Sequence, residues 1–199
     1  MSATPSPLLH LIELLLHLPG VGPKTAEKYA YALASAPQST LNEIAQSLSD
    51  LRQQLKECSR CHTIALSDPC PVCADQNRDQ KIVCLVSTPQ DAAALERSDY
   101  KGLYHILGGA LNPRLGITPD KINFAHLESR IKKESIAEII LGLNYDIEGE
   151  ETARYAKTLL DKYDIKITRL AQGLPQNSVV EYADANTLAT ALKHRQKLN

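Results

Sequence analysis

Apolar residues follow two rhythms along the chain. From Leu8 to Leu55 they recur every three or four positions, and beyond Ile82 they gather into short β-branched runs parted by longer amphipathic stretches. The first rhythm belongs to helices with one buried face, the second to buried parallel strands alternating with helices. Leu8, Leu9, Ile12, Leu15 and Leu16 form the first stripe, with Ser6 and Pro7 as its N-cap and first-turn residues. Pro19-Gly20-Val21-Gly22-Pro23 interrupts it, and Ala26, Ala30 and Leu33 resume the period. A third helix is expected from Thr40, with Glu43 completing a capping box and Leu41, Ile44, Leu48, Leu51 and Leu55 on its apolar side.

In the second zone Ile82–Val86, Leu103–Leu107, Ala137–Leu143 and Ile165–Leu170 read as strands. Thr88, Pro89 and Asp91 start a helix after the first strand, Glu148–Tyr163 forms one after the third, and Asp184 caps a final helix. The expected architecture is α/β with an N-terminal all-helical region. Four segments follow: 1–57 helical, 58–81 cysteine-bearing, 82–172 a parallel-sheet domain, and 173–199 a C-terminal segment with its helix.

Composition narrows the function. The 199 residues are 43% apolar and 23% charged, an ordinary globular balance. No apolar run approaches the roughly 20 residues needed to span a bilayer, and no basic segment followed by an apolar one marks a secretory signal, so a cytoplasmic protein is expected. With eight Tyr, one Phe and no Trp, a core must come from Leu, Ile, Val and Ala. The formal net charge of −1 argues against a protein that coats nucleic acid by bulk attraction. Even 1–57 carries four Lys/Arg against five Asp/Glu.

The chemistry concentrates in three places. Four of the five Cys are spaced Cys58-x-x-Cys61, eight residues, Cys70-x-x-Cys73. Two such knuckles complete a tetrahedral Zn²⁺ shell with no open position, hence a structural zinc, one per chain. Pro69 and Pro71 stiffen the second knuckle, His62 is not needed as a ligand, and Cys84 is expected as a small core residue within a strand. Next, Gly20 and Gly22 permit a tight turn between two helices, and Lys24 and Lys28 lie one turn apart beyond it. That arrangement reads equally as an anion site at a helix N-terminus or as a plain hairpin with solvated lysines. Finally, Asp146, Glu148 and Glu150 follow the third strand. On an extended segment Asp146 and Glu148 would face one Mg²⁺ site; the competing reading places all three acids at a helix N-terminus, where the dipole favours them.

Leu18-Pro-Gly-Val-Gly-Pro-Lys-Thr-Ala26 is similar to a helix-hairpin-helix, a module that grips DNA backbone without reading sequence. The acidic segment within its predicted sheet resembles the Toprim fold. Active Toprim enzymes carry a Glu after the first strand and an Asp-x-Asp followed by Glu after a later one. Here those positions are Ser87, Asn144, Asp146 and Glu148, so two of four carboxylates are absent. That argues against a working Mg²⁺ centre and leaves Asp146, Glu148 and Glu150 as at most a weak Mg²⁺ contact or a partner surface. Hairpin, four-Cys knuckle and Toprim segment in this order resemble the RecR family of bacterial recombination mediators. Gly102-Leu-Tyr-His-Ile-Leu-Gly-Gly-Ala-Leu111, Glu148-Gly149-Glu150 and Val180-Glu-Tyr-Ala-Asp184 extend the likeness over most of the chain.

The resemblance implies a DNA-binding protein and not an enzyme. It would act with RecO, and in some cases RecF, to load RecA onto single-stranded DNA coated by SSB. It also implies a homotetrameric ring, or a dimer, that encircles single- or double-stranded DNA near the nucleoid. Gly20, Gly22, Lys24 and Lys28 would then face DNA, Cys58, Cys61, Cys70 and Cys73 would hold zinc, and the Asp146–Glu150 acids would meet RecO. RecR-family chains usually carry Glu at the position of Ser87. Two other classes stay open on the residues alone: a Mg²⁺-dependent Toprim nuclease or strand-passage component, and a zinc-stapled scaffold for other proteins.

Overall fold

The computed structural model describes residues 4–195 and 197. Residues 1–3, 196, 198 and 199, at the ends of the two expected terminal segments, lie outside the described residues. The chain divides into two compact units, Met1–Leu55 and Lys56–Asn199.

The first unit holds α1 (Ser6–Leu15), α2 (Pro23–Ala34) and α3 (Gln38–Gln54). α1 packs on α2 through Ala26 and Ala30, both fully buried, whose short side chains let the two backbones approach. Two expected caps move. Pro5 rather than Ser6 is the N-cap of α1. α3 starts at Gln38, not Thr40, behind Pro37, whose ring fixes the backbone for helix entry; Thr40 therefore lies inside the first turn and the Thr40–Glu43 capping box does not form. Neither α1 nor α3 contributes a buried residue.

The second unit opens with a two-stranded antiparallel hairpin, β1 (Lys56–Glu57) and β2 (Ile64–Ala65), followed by the single turn α4 (Pro71–Ala74). A four-stranded parallel sheet then forms from β3 (Ile82–Val86), β4 (Leu103–Ile106), β5 (Glu138–Leu141) and β6 (Lys166–Arg169), in the order β4-β3-β5-β6. Its helices are α5 (Pro89–Glu96), α6 (Phe124–Lys133) and α7 (Ile147–Leu160), with α8 (Ala185–Lys193) near the C-terminus. Strand alternation sorts the core. Val83 and Leu85 of β3 pack with Phe124 and Leu127 of α6 and Ala156 and Leu160 of α7. Cys84 and Val86 point to the opposite face, toward Ala92 of α5. Burial pushes the Cys84 thiol up to about 12, so it stays protonated, a core residue as its place in the strand predicts.

Local capping appears where its signals are strong. Thr88 and Asp91 form a reciprocal capping box at α5. Asp184 accepts the Asn186 and Thr187 N–H groups at α8. β3 keeps the expected bounds, β4, β5 and β6 end one or two residues early, and α7 runs from Ile147, one residue before Glu148, to Leu160 rather than Tyr163. α6 is not among the expected elements although Phe124, Leu127 and Ile131 recur at helical spacing and Arg130, Lys132 and Lys133 fill its last turn; its N-cap, Asn123, makes no side-chain capping bond.

Candidate functional site

In the first unit, the loop between α1 and α2 is a type II turn. The Leu18 carbonyl accepts the Val21 N–H (3.1 Å), Pro19 occupies the second position and Gly20 the third, at φ +80°. A side chain at Gly20 would be strained there. Gly22 caps α2 in an extended conformation and Pro23 takes the first helical position. Gly20, Gly22, Lys24 and Lys28 are all exposed, and neither lysine has a carboxylate partner among the described residues. Among the described residues the Lys24 N–H likewise bonds no carbonyl, so an amide and two ammonium groups share one helix end.

In the second unit, the β1–β2 turn supplies Cys58 and Cys61, while Cys70 caps α4 and Cys73 lies within it. All four are buried and unbridged, and their Sγ atoms lie within 4.8 Å of one another. Cys61 and Cys70 Sγ are 3.6 Å apart, close to the separation of about 3.8 Å set by tetrahedral Zn–S bonds. The knuckle backbone adds negative-charge acceptance: the Cys70 N–H donates to Cys58 Sγ (3.3 Å) and the Cys73 N–H to Cys70 Sγ (3.4 Å). Burial works to raise the Cys58 thiol, and the N–H groups of Cys70, Cys61 and Arg60 overcome it, bringing the thiol down to about 7. The Cys73 side chain beside Cys61 and the burial of Cys70 push those two thiols up instead. The donor set fits one structural Zn²⁺ bound by four thiolates. His62 is not a fifth donor; its Nδ1 meets Glu57 Oε1 at 2.6 Å.

The knuckle is tied to the sheet rather than free-standing. The Cys61 carbonyl accepts the Ile106 N–H of β4 (2.9 Å). Arg60, between the first two ligands, donates two hydrogen bonds to Glu134 (2.8 and 3.0 Å), one to the Cys73 carbonyl and one to Gln80. Arg130 of α6 completes the joint through Glu134 (3.0 Å) and the Tyr104 carbonyl (2.6 Å).

The acids at the sheet end take the helix-terminal arrangement, not the extended one. Asp146 is the N-cap of α7 and accepts the Gly149 N–H (2.7 Å). Glu148 lies in the first turn and accepts from Asn112 Nδ2 (3.2 Å). Glu150 pairs with Arg169 (2.8 Å), which holds its carboxyl below the usual range. The helix begins directly after Asp146, so the alternation needed to aim Asp146 and Glu148 together is absent. Ser87, at the end of β3, is buried with its Oγ unpartnered. Among the described residues the four Cys form the only group of three or more potential ligands close enough to share an ion.

Four family models match successive stretches: RecR, helix-hairpin-helix over 8–52; RecR, four-cysteine zinc finger domain over 55–75; Toprim domain over 81–171; and RecR, C-terminal over 173–196. The chain is 42% identical to Recombination protein RecR of Desulforudis audaxviator, over 94% of this chain and 96% of that protein. It is 40% identical to the protein of the same name from Natranaerobius thermophilus over the full length of both. With that of Staphylococcus aureus it shares 40% over 98% of each. The chain belongs to the RecR family. Within a RecR-type chain the closed four-thiolate shell is the zinc finger, and the exposed glycine turn with Lys24 and Lys28 is the helix-hairpin-helix. The Arg60–Glu134–Arg130 joint escaped sequence reasoning, because Arg60 and Glu134 lie 74 residues apart and only the fold brings them together. No helix among the described residues is long and apolar enough to cross a membrane.

Proposed function

We propose that this RecR-family chain is a non-catalytic DNA clamp that acts in the cytoplasm with RecO, and with RecF where present, to help RecA replace SSB on single-stranded DNA in gap repair. The observation that carries the reading is the exposed hairpin, where the Gly20–Gly22 turn, Lys24 in the first turn of α2 and Lys28 one turn further on are open to a phosphate backbone. Such contacts position a protein on DNA without selecting a sequence. Asp146, Glu148 and Glu150 serve as a partner surface for RecO rather than as a metal centre. Three features support that assignment: Ser87 and Asn144 replace carboxylates of active Toprim enzymes, Asp146 is committed to capping, and Glu150 is committed to Arg169. A homo-oligomeric ring or dimer fits the first unit, whose Leu14, Leu18, Leu48 and Leu51 are more than half exposed.

The test is a salt series of DNA binding with the Lys24→Ala, Lys28→Ala double variant. Weaker binding, with a salt slope shallower by about 0.7 to 0.9 for each phosphate no longer neutralised, is expected at unchanged thermal stability. Unchanged affinity and slope would remove the hairpin from the DNA surface.

A further inference from the structure

A polar cavity of about 210 Å³ lies where the first zinc knuckle meets α6. Arg60 and His62 line it from the knuckle, and His126, Arg130 and Lys133 from the helix. Three cationic side chains thus surround a single carboxylate, Glu134, which also lines the cavity. That carboxylate is already saturated by both arginines: two bonds from Arg60 and one from Arg130 Nε. Among the described residues the positive charge left over has no second carboxylate partner. Arg130 is 4% exposed at its side chain, and its Nη2 is buried with no acceptor. Lys133 is exposed and has no carboxylate partner among the described residues. The His126 ring packs on His62 at 4.4 Å, and its Nδ1 meets Asn123 Oδ1 at 3.3 Å.

We propose that this cavity binds a phosphoryl oxyanion, and that the phosphate is one of a DNA backbone. A planar guanidinium already oriented by Glu134, beside a mobile ammonium, matches a tetrahedral oxyanion. Ser59 and Ser129 also line the cavity, but their hydroxyls already donate to Asp68 and to the Ala125 carbonyl, so the cationic side chains carry the anion site. An acidic protein segment fits less well, because such docking is anchored by apolar or aromatic side chains and no aliphatic, Phe, Tyr or Trp residue lines this cavity to pack against them. The inference rests on the DNA-binding reading above and extends it: the zinc-bearing unit contributes a phosphate contact of its own, separate from the hairpin lysines. The zinc finger then does more than staple the chain. It presents Arg60 to DNA while fixing the arginine pair in place.

The experiment measures binding of a fluorescent oligothymidine to the full-length zinc-loaded chain across a salt series. Parent, His126→Ala with Lys133→Ala, and Lys24→Ala with Lys28→Ala are compared. The first pair leaves every bond to Glu134 intact and removes only the His126 contacts to His62 and Asn123, so it should stay folded with the parent's zinc content and circular-dichroism spectrum. It should bind about three- to tenfold more weakly with a shallower salt slope. That result supports the proposal whatever the hairpin pair does. If the hairpin pair weakens binding and the cavity pair does not, the cavity proposal fails and the DNA-binding reading stands. If the parent itself binds no DNA, both fail. Inorganic phosphate that shifts the His126 ring resonances, with DNA binding indifferent to the cavity pair, would make this a free-anion site and overturn the DNA assignment. A poly-glutamate peptide whose binding alone depends on His126 and Lys133 would overturn it in favour of a protein partner.

Discussion

His105 lies fully buried in β4 with its Nε2 3.0 Å from the Asn123 carbonyl. A carbonyl only accepts, so Nε2 carries the proton and Nδ1, which has no partner, is bare. Burial pushes the imidazole down to about 3, against the bond to Asn123 that favours its charge. A folded value below the unfolded one, about 6.5, gives a definite sign. The contribution is complete above a pH of about 6.5 and is lost progressively as pH falls toward the folded value, at up to about 1.4 kcal/mol per pH unit. His105→Gln keeps a donor for Asn123 and removes the titration, so its stability should fall less steeply than the parent's between a pH of about 6.5 and about 5. Parallel stability–pH curves from chemical unfolding would refute that origin. Gly149 makes a second demand at this scale. A Cβ there would stand 2.1 Å from the Asn144 carbonyl oxygen, where the loop after β5 folds back on the start of α7. Gly149→Ala should cost about 2 kcal/mol in equilibrium unfolding and disturb the Asp146 cap. Glu148-Gly149-Glu150 is plain in the sequence, but the backbone approach that requires glycine follows from tertiary folding.

At the scale of elements, strong local signals were readable and packing partners were not. The Thr88–Asp91 box at α5 and the Asp184 cap at α8 depend on residues two or three apart, and both formed as expected. Thr40 and Glu43 had the same spacing and lost to Pro37, because an earlier residue already set the helix start. α6 is absent from the expected elements although Phe124, Leu127 and Ile131 keep helical spacing; what the pattern does not show is that Arg130, a charged residue, shares their buried face. The four cysteines were legible because metal-ligand spacing is set by local geometry. That the knuckle is bolted to β4 and α6 was not, since Arg60 reaches Glu134 across 74 residues. The element-level prediction concerns this joint. Cys58→Ala should release zinc and lower the unfolding midpoint by on the order of 10 °C. Metal content with calorimetry checks it, and a zinc-free protein with an unaltered midpoint would deny the knuckle its structural role.

At the scale of the whole molecule, the net charge of −1 argued against a tight DNA coat, and membership of the RecR family reconciles it with DNA. On the proposed ring, DNA would be retained by topology, each subunit would need only a few phosphate contacts, and acidic surface would be left for the proposed protein partner. The apolar side of α3 was visible as a stripe, but its exposure was not: Ile44, Leu48 and Leu51 are 39%, 62% and 51% exposed. A helical period marks a face that will be covered without saying whether the covering comes from the same chain. The most direct measurement follows RecA assembly on SSB-coated gapped DNA in the presence of RecO, with and without this chain, while strand integrity is read on a denaturing gel with Mg²⁺ present. Faster RecA assembly on intact DNA is the expected result; strand cleavage that disappears in Asp146→Ala, or no acceleration at all, would contradict it.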